Sequence, residues 1–381
     1  MKQRSLTRFR PAAARCARRG LALLCGLLLL AACERRPLEA IVNETVRVQL
    51  VVNWDDYFTP LYGEHPNGMT VMVWGSHAAR PIVESVNGTT LTLHLVPDVY
   101  RLVVFNDRED EFLPYMRLRD ATSFSDVTMR LQHYDHTTRD NETNDYVHYP
   151  EPIGVAVDTF EISEAMVLRD TTIFVPYKDY LSNGQQLYHD NDYVYQIDEV
   201  GMPMTVNLYL EAKVKRYQSI QTVEASLSGL ADGFYLSRVD RTAEAGTIIL
   251  NPNTWRFRKY GDTPDSLGII SNETMCFGLP YGKETLAERS EADNVLSFVI
   301  TLTDGTVLRQ SFEVGKDLHY ITPEGIEVQI RYREDLRNIL LKLDLSEVIV
   351  MPPVPDQRVG AGFDAEVRDW EDGGIIDLGG F

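Results

Sequence analysis

From Val46 the apolar residues alternate strictly. Val46, Val48, Leu50 and Val52 fall on one side of an extended chain, with Arg47, Gln49 and Asn53 on the other. Period two describes a half-buried strand, whereas a helix would repeat its apolar residues every three or four positions. The signal recurs at residues 69–74, 90–96, 100–105, 127–131 and 154–162, separated by turn formers such as His65-Pro66-Asn67-Gly68, Asn87-Gly88 and Pro97-Asp98. In the second half, Val206, Leu208, Leu210, Ala212 and Val214 share one side. Leu296, Phe298, Ile300 and Leu302 then lead into Asp304-Gly305 before Val307, a DG turn between alternating strands and the strongest short-range hairpin signal in the chain. Residues 336–350 fit both periods, and the longer alternating run favours a strand. Polar residues 133–149 and 183–192 read as loops. Short strands at roughly ten-residue spacing predict an all-β chain of two tandem β-sandwich domains.

Ahead of the strands lies the run LALLCGLLLLAAC, residues 21–33, preceded by one lysine, six arginines and no acid. Its uncharged part, residues 21–32, would span about 18 Å as a helix, too short for a hydrocarbon core of about 30 Å. A basic start, a short apolar run and small residues before a cut describe an export signal. Leu30-Ala31-Ala32-Cys33 resembles a lipobox, which implies cleavage before Cys33 and its lipidation. The expected organisation is a lipoprotein signal peptide (1–32), a lipidated tether (33–42), an N-terminal sandwich (43–200), a C-terminal sandwich (201–350) and a C-terminal segment (351–381). Met351-Pro352-Pro353-Val354-Pro355 breaks regular structure ahead of that segment.

Removing residues 1–32 takes away seven cations and no acid, so the formal charge moves from −19 to −26. Such a surface repels polyanions, which argues against nucleic acid as a partner. Cys16 and Cys25 leave with the signal and Cys33 takes lipid, so Cys276 alone remains and no internal disulfide can form. Core burial must hold the fold, and Met275-Cys276-Phe277 reads as part of that core.

Several stretches carry a family likeness. Gly68-Met69-Thr70-Val71, Val96-Pro97-Asp98-Val99-Tyr100 and Val103-Val104-Phe105-Asn106 resemble the first domain of the fimbrillin-like lipoproteins of Bacteroidales. VEASLSGL at 223–230 and NVLSFVITLTDGTVLRQSFEV at 294–314 resemble the second domain, and VRDWEDGGIIDL at 367–378 its closing segment. The nearest branch is one known only as a domain of unknown function. The resemblance implies two transthyretin-like, Greek-key sandwiches, an outer-membrane or cell-surface location, and partners among fimbrial subunits joined by β-strand addition. In that family an Arg-directed cut removes a first strand. Here Arg35-Arg36 precede the first strand and Arg47 lies inside it, so neither is placed for such a cut, and an anchor, tip, accessory or stand-alone surface role is expected.

Few residues suggest chemistry. His133, Asp135 and His136, with His148 farther on, offer nitrogen and oxygen ligands for zinc, but their tight spacing sets no geometry and a solvated loop is the plainer reading. Trp54, Tyr57 and Trp74 could stack on host or bacterial glycans, although sandwich cores also need large aromatics. No nucleophile elbow, Walker loop or dinucleotide fingerprint occurs, so neither catalysis nor a cofactor is expected. Phe363, Val367 and Trp370 make the C-terminal segment too apolar for a solvated tail and mark it as a strand that closes its own domain or pairs with a neighbour. The expected function is therefore a lipid-anchored structural or adhesive envelope protein, with a glycan-binding lipoprotein as the alternative. Cys33→Ala should abolish acyl labelling and leave an uncleaved or soluble species. Retained label and full membrane partition in that variant would refute lipidation at Cys33.

Overall fold

The computed structural model describes residues 45–134, 146–168, 172–180, 186–261, 263, 265–328 and 339–353, and almost all of its regular structure is β. The first half contains β1 (Val46–Asn53), β2 (Gly68–Gly75), β3 (Ile82–Asn87), β4 (Thr90–Leu95), β5 (Asp98–Asn106), β6 (Met116–Arg119), β7 (Thr128–Leu131), β8 (Tyr146–Val147), β9 (Gly154–Ile162), β10 (Val175–Tyr180), β11 (Gln186–Val200) and β12 (Met202–Pro203). Two sheets form from these strands, in the orders β10-β11-β1-β4 and β12-β9-β5-β2-β3. The alternating residues of β1 all point inward, as their spacing predicts. Val46, Val48, Leu50 and Val52 are buried against Met69, Val71 and Val73 of β2 and Leu102 and Val104 of β5.

The second half contains β13 (Val206–Lys215), β14 (Ile220–Ala231), β15 (Gly233–Tyr235), β16 (Asp240–Arg241), β17 (Ala245–Ile249), β18 (Arg256–Tyr260), β19 (Leu267–Cys276), β20 (Val295–Leu302), β21 (Val307–Glu313), β22 (Leu318–Ile321) and β23 (Leu340–Val350). Its sheets run β18-β19-β13-β23-β22 and β21-β20-β14-β17-β8. The strand order of the first half returns. β1 lies between antiparallel β4 and parallel β11, and β13 lies between antiparallel β19 and parallel β23. The facing layers correspond too, β9-β5-β2-β3 matching β21-β20-β14-β17. The DG hairpin joins β20 to β21, with Gly305 at a φ of +83° and the Thr306 amide donating to Asp304 Oδ1 at 2.9 Å. Such a backbone angle is open to glycine and costly for a residue with a Cβ.

Between β5 and β9 the chain leaves the first sandwich and builds on the second. There β7 pairs with β15 inside a small sheet of order β16-β15-β7-β6, and β8 extends the second sandwich by lying parallel to β17. This excursion covers the outer face of β2 and β5. Met72, Trp74, Val103 and Phe105 pack with Phe112, Met116, Met129 and Leu131 in a cluster that continues into the second sandwich. Residues 69–74 therefore differ from the alternation read in the sequence. They are buried on both faces, as the run Met-Thr-Val-Met-Val-Trp requires. An ion pair ties the excursion down, Arg130 Nη1 reaching Asp232 Oδ1 at 3.0 Å while Thr242 Oγ1 donates to the same oxygen at 2.9 Å.

Two expected loops carry strands. Residues 186–192 belong to β11, whose first part pairs with β10 and whose second part pairs with β1. Residues 146–147 form β8, since a parallel edge against β17 needs only backbone groups. Among the described residues no helix is long and apolar enough to cross a membrane.

Trp54 fixes the junction of β1 and β11. Its indole packs edge-on to Phe58, with ring centroids 5.6 Å apart, and fills space that Gly154 and Gly201 leave open. A Cβ on Gly201 would stand 2.0 Å from the indole carbons. Gly201→Ala should therefore lower stability by about 1–3 kcal/mol through overpacking, read as a lower urea midpoint. An unchanged midpoint would contradict this packing.

Candidate functional site

The sequence offers three groups that could meet a ligand: the aromatics Trp54, Tyr57 and Trp74, the histidines about residue 133, and Cys276. Trp54 is 2% exposed and Trp74 is 6% exposed. Trp54 sits in the interior of the first sandwich. Trp74 lies under the β6–β7 excursion, edge-on to Phe124 at 5.4 Å, with its Nε1 donating to the Thr122 carbonyl at 3.3 Å. Tyr57 is half-buried against the same apolar cluster as Trp74. Stacking on a sugar requires an open ring face, and neither indole has one. The glycan-binding reading of these residues gives way to core packing, because each sheet needs large side chains at these positions.

His133 is exposed and forms a β-bridge with Val147. Directly opposed residues of a strand pair share a face and neighbours in sequence take opposite faces, so His133 and His148 project to opposite sides and cannot bind one ion together. Asp135 and His136 lie outside the described residues, as do Cys33, Phe363, Val367 and Trp370. Among the described residues no three His, Cys, Asp or Glu side chains stand together in a metal-binding group.

His148 has its own aromatic setting, which sequence reading missed. Its ring stacks on Tyr134 with centroids 3.7 Å apart and meets Tyr115 edge-on at 5.3 Å, while Tyr115 stacks on Tyr149 at 6.0 Å. The Nδ1 atom is buried and finds no hydrogen-bond partner among the described residues. Burial favours the neutral ring and holds its pKa below the ordinary histidine value. The sequence signal was YVHY at 146–149, an aromatic-rich end to a segment otherwise read as solvated loop.

Cys276 is fully buried and its thiol is pushed up to about 12 by desolvation, so it is inert at neutral pH. It adjoins a second unforeseen cluster. Arg241 donates from Nε to the Phe277 carbonyl at 2.6 Å, Arg289 donates from Nη2 to the Leu318 carbonyl at 2.7 Å, and the Leu279 amide donates to the Tyr320 hydroxyl at 2.8 Å. Both guanidinium groups are buried and bond to carbonyls that end the β19 and β22 region. These arginines fasten the segment after β19 across the end of the second sandwich.

A model of the family described as Domain of unknown function (DUF5119) matches residues 32–251. No curated protein matches the chain. Among solved structures, a candidate adhesin from Bacteroides ovatus is 15% identical, with a TM-score of 0.48, covering 85% of this chain and 98% of its own. The fimbrial anchor protein Mfa2 from Porphyromonas gingivalis is 13% identical, with a TM-score of 0.33 and coverages of 70% and 82%. The tip fimbrial protein Mfa3 from the same organism, with a C-terminal truncation, is 11% identical, with a TM-score of 0.29 and coverages of 82% and 96%.

The His148 setting has a testable pH consequence. A histidine whose folded pKa lies below its unfolded value takes up its proton more readily in the unfolded chain, so stability is full above about pH 6.5 and falls as pH drops below it. Asp107 and Glu151, whose carboxyl pKa values are raised by burial, act in the opposite direction. Comparison with His148→Gln removes their effect. Between about pH 7.5 and pH 5.5 the wild type should lose more stability than the variant in urea titrations. Equal losses would show that His148 does not titrate in its aromatic setting.

Proposed function

This chain belongs to the family described as Domain of unknown function (DUF5119), and on that premise we propose that it is a lipid-anchored envelope protein with a structural or adhesive role. It acts by protein–protein contact and holds no catalytic site. Cys33 ties the chain to the outer membrane through acyl chains, and the two sandwiches present contact surfaces to other subunits at or near the cell surface. The observation that carries this reading is the apolar cluster that runs from β2 and β5 through the excursion into the second sandwich. A tethered contact protein has to pass load from partner to anchor, and a continuous core lets two sandwiches do so as one body.

Strand pairing refines the role. β1 is hydrogen-bonded on both flanks, to β4 and to β11, and Arg47 within it is ion-paired to Asp192. Loss of β1 would split its sheet, which favours an anchor, tip or accessory subunit over one that sheds its first strand. The flank of β3 that no described strand pairs with, where Ile82 and Val83 are exposed, is the place for an added partner strand.

Purification of the native protein from envelopes tests the proposal. It should fractionate with the outer membrane, be removed by protease treatment of intact cells, and co-isolate with other surface subunits. A soluble protein without acyl label or stable protein partners would overturn it.

A further inference from the structure

The outer face of the sheet β18-β19-β13-β23 departs from the acidic character of the chain. Its inward residues Val214, Ile270 and Ile349 are buried, so the alternate positions face out. One row across it runs Tyr260, Leu267, Lys215, Val350, each residue directly paired with the next. The adjoining row runs Arg258, Ile269, Lys213. Tyr260, Leu267 and Val350 are exposed, an apolar strip open to solvent. Beside it stand three cations in a chain whose formal charge is −19. The carboxylates nearby are Glu211, 3.5 Å from Arg258, Asp344, already engaged by Lys342 at 2.9 Å, Asp265, already engaged by Arg216 at 2.6 Å, and Glu347 in the irregular part of β23. Among the described residues no ion pair engages Lys213 or Lys215, and the carboxylate that Lys215 acts on through space, Asp265, is bonded to Arg216.

The last described residues lie on this same row. The Met351 amide donates to the Lys215 carbonyl at 3.1 Å, and Arg216 Nη1 donates to the Met351 carbonyl at 3.0 Å, pinning the chain beside Val350. Pro352 and Pro353 then emerge exposed. Residues 356–381, which follow, carry seven acids against two arginines, together with Phe363, Val367 and Trp370. Their chemistry complements the face in both respects, carboxylates for its cations and large apolar side chains for its strip.

We propose that the outer face of β18-β19-β13-β23 is the docking surface for this chain's own acidic C-terminal segment, residues 356–381. Reach is no obstacle. About six extended residues cover the roughly 20 Å across these strands, and the pinned attachment at Met351 keeps the segment at high effective concentration beside its seat. Burial of the strip supplies the attraction, and charge fixes where the segment lies and makes the contact sensitive to salt. The inference rests on the sheet and its charges and is independent of the role proposed above.

Trp370 provides the readout, since Trp54, Trp74 and Trp255 are all buried. Acrylamide quenching of the full chain, with Trp370→Phe as the subtraction control, isolates the signal of the segment. At low salt Trp370 should be much less quenched than in a free peptide of residues 356–381. It should approach the peptide's value in high salt and in a Lys213→Glu, Lys215→Glu, Arg258→Glu variant. The salt titration needs no mutant, and unchanged fluorescence of the buried tryptophans confirms that the variant folds. Three results would overturn the proposal: quenching equal to the free peptide at low salt, protection that survives charge reversal, and protection lost on dilution, which would place the segment on a second copy.

Discussion

The architecture depends on a sheet with no solvent face at its centre. Strands β2 and β5 bury Val71, Val73, Leu102 and Val104 on one side and Met72, Trp74, Val103 and Phe105 on the other. Each such side chain contributes about 1.5–3 kcal/mol when fully buried, but only if something covers both sides. The sheet of β1 covers the first. The second is covered by the excursion between β5 and β9, which is itself too small to fold alone and leans on β15 and β17. The layers thus stabilise one another in series, and the second sandwich supports the first through the segment between them.

Much of this was legible in the residues. The strict alternation of β1 and β13 and the DG turn after β20 specify strands, inward faces and a hairpin from local chemistry alone. What escaped was set by partners distant in sequence. The first part of β11, QLYHDND, is too polar to look like a strand and is one because β10 supplies backbone partners. β8 has two residues and pairs in parallel, a bond pattern with no side-chain signature. The sequence also could not reveal that the covering layer of the first sandwich belongs equally to the second.

The candidate site shows the same division. Cys276 was readable as core because its neighbours are apolar, and the structure places it there. Trp54, Tyr57 and Trp74 were ambiguous in principle, since an aromatic ring serves a core or a sugar equally well and only burial decides. The buried guanidinium groups of Arg241 and Arg289 gave no warning, because arginine is ordinarily an exposed residue and their partners are carbonyls of strand ends. Here the buried polar chemistry serves to fasten strands together.

The crossing excursion also governs the order in which the molecule can assemble. β7 waits for β15, and Arg130 for an aspartate 102 residues farther along the chain. β1 is completed only when β11 arrives to lie parallel to it. Contacts so distant in sequence slow folding, because loop closure is paid before they form. A chain released progressively from its amino end would hold one flank of β1 open until β11 followed, one flank of β7 open until β15 followed, and β8 without its β17 partner for about 100 residues. Vectorial delivery therefore leaves strand edges open for longer here than in two sandwiches that merely sit end to end, and a chain of this design needs shielding from its neighbours during that interval.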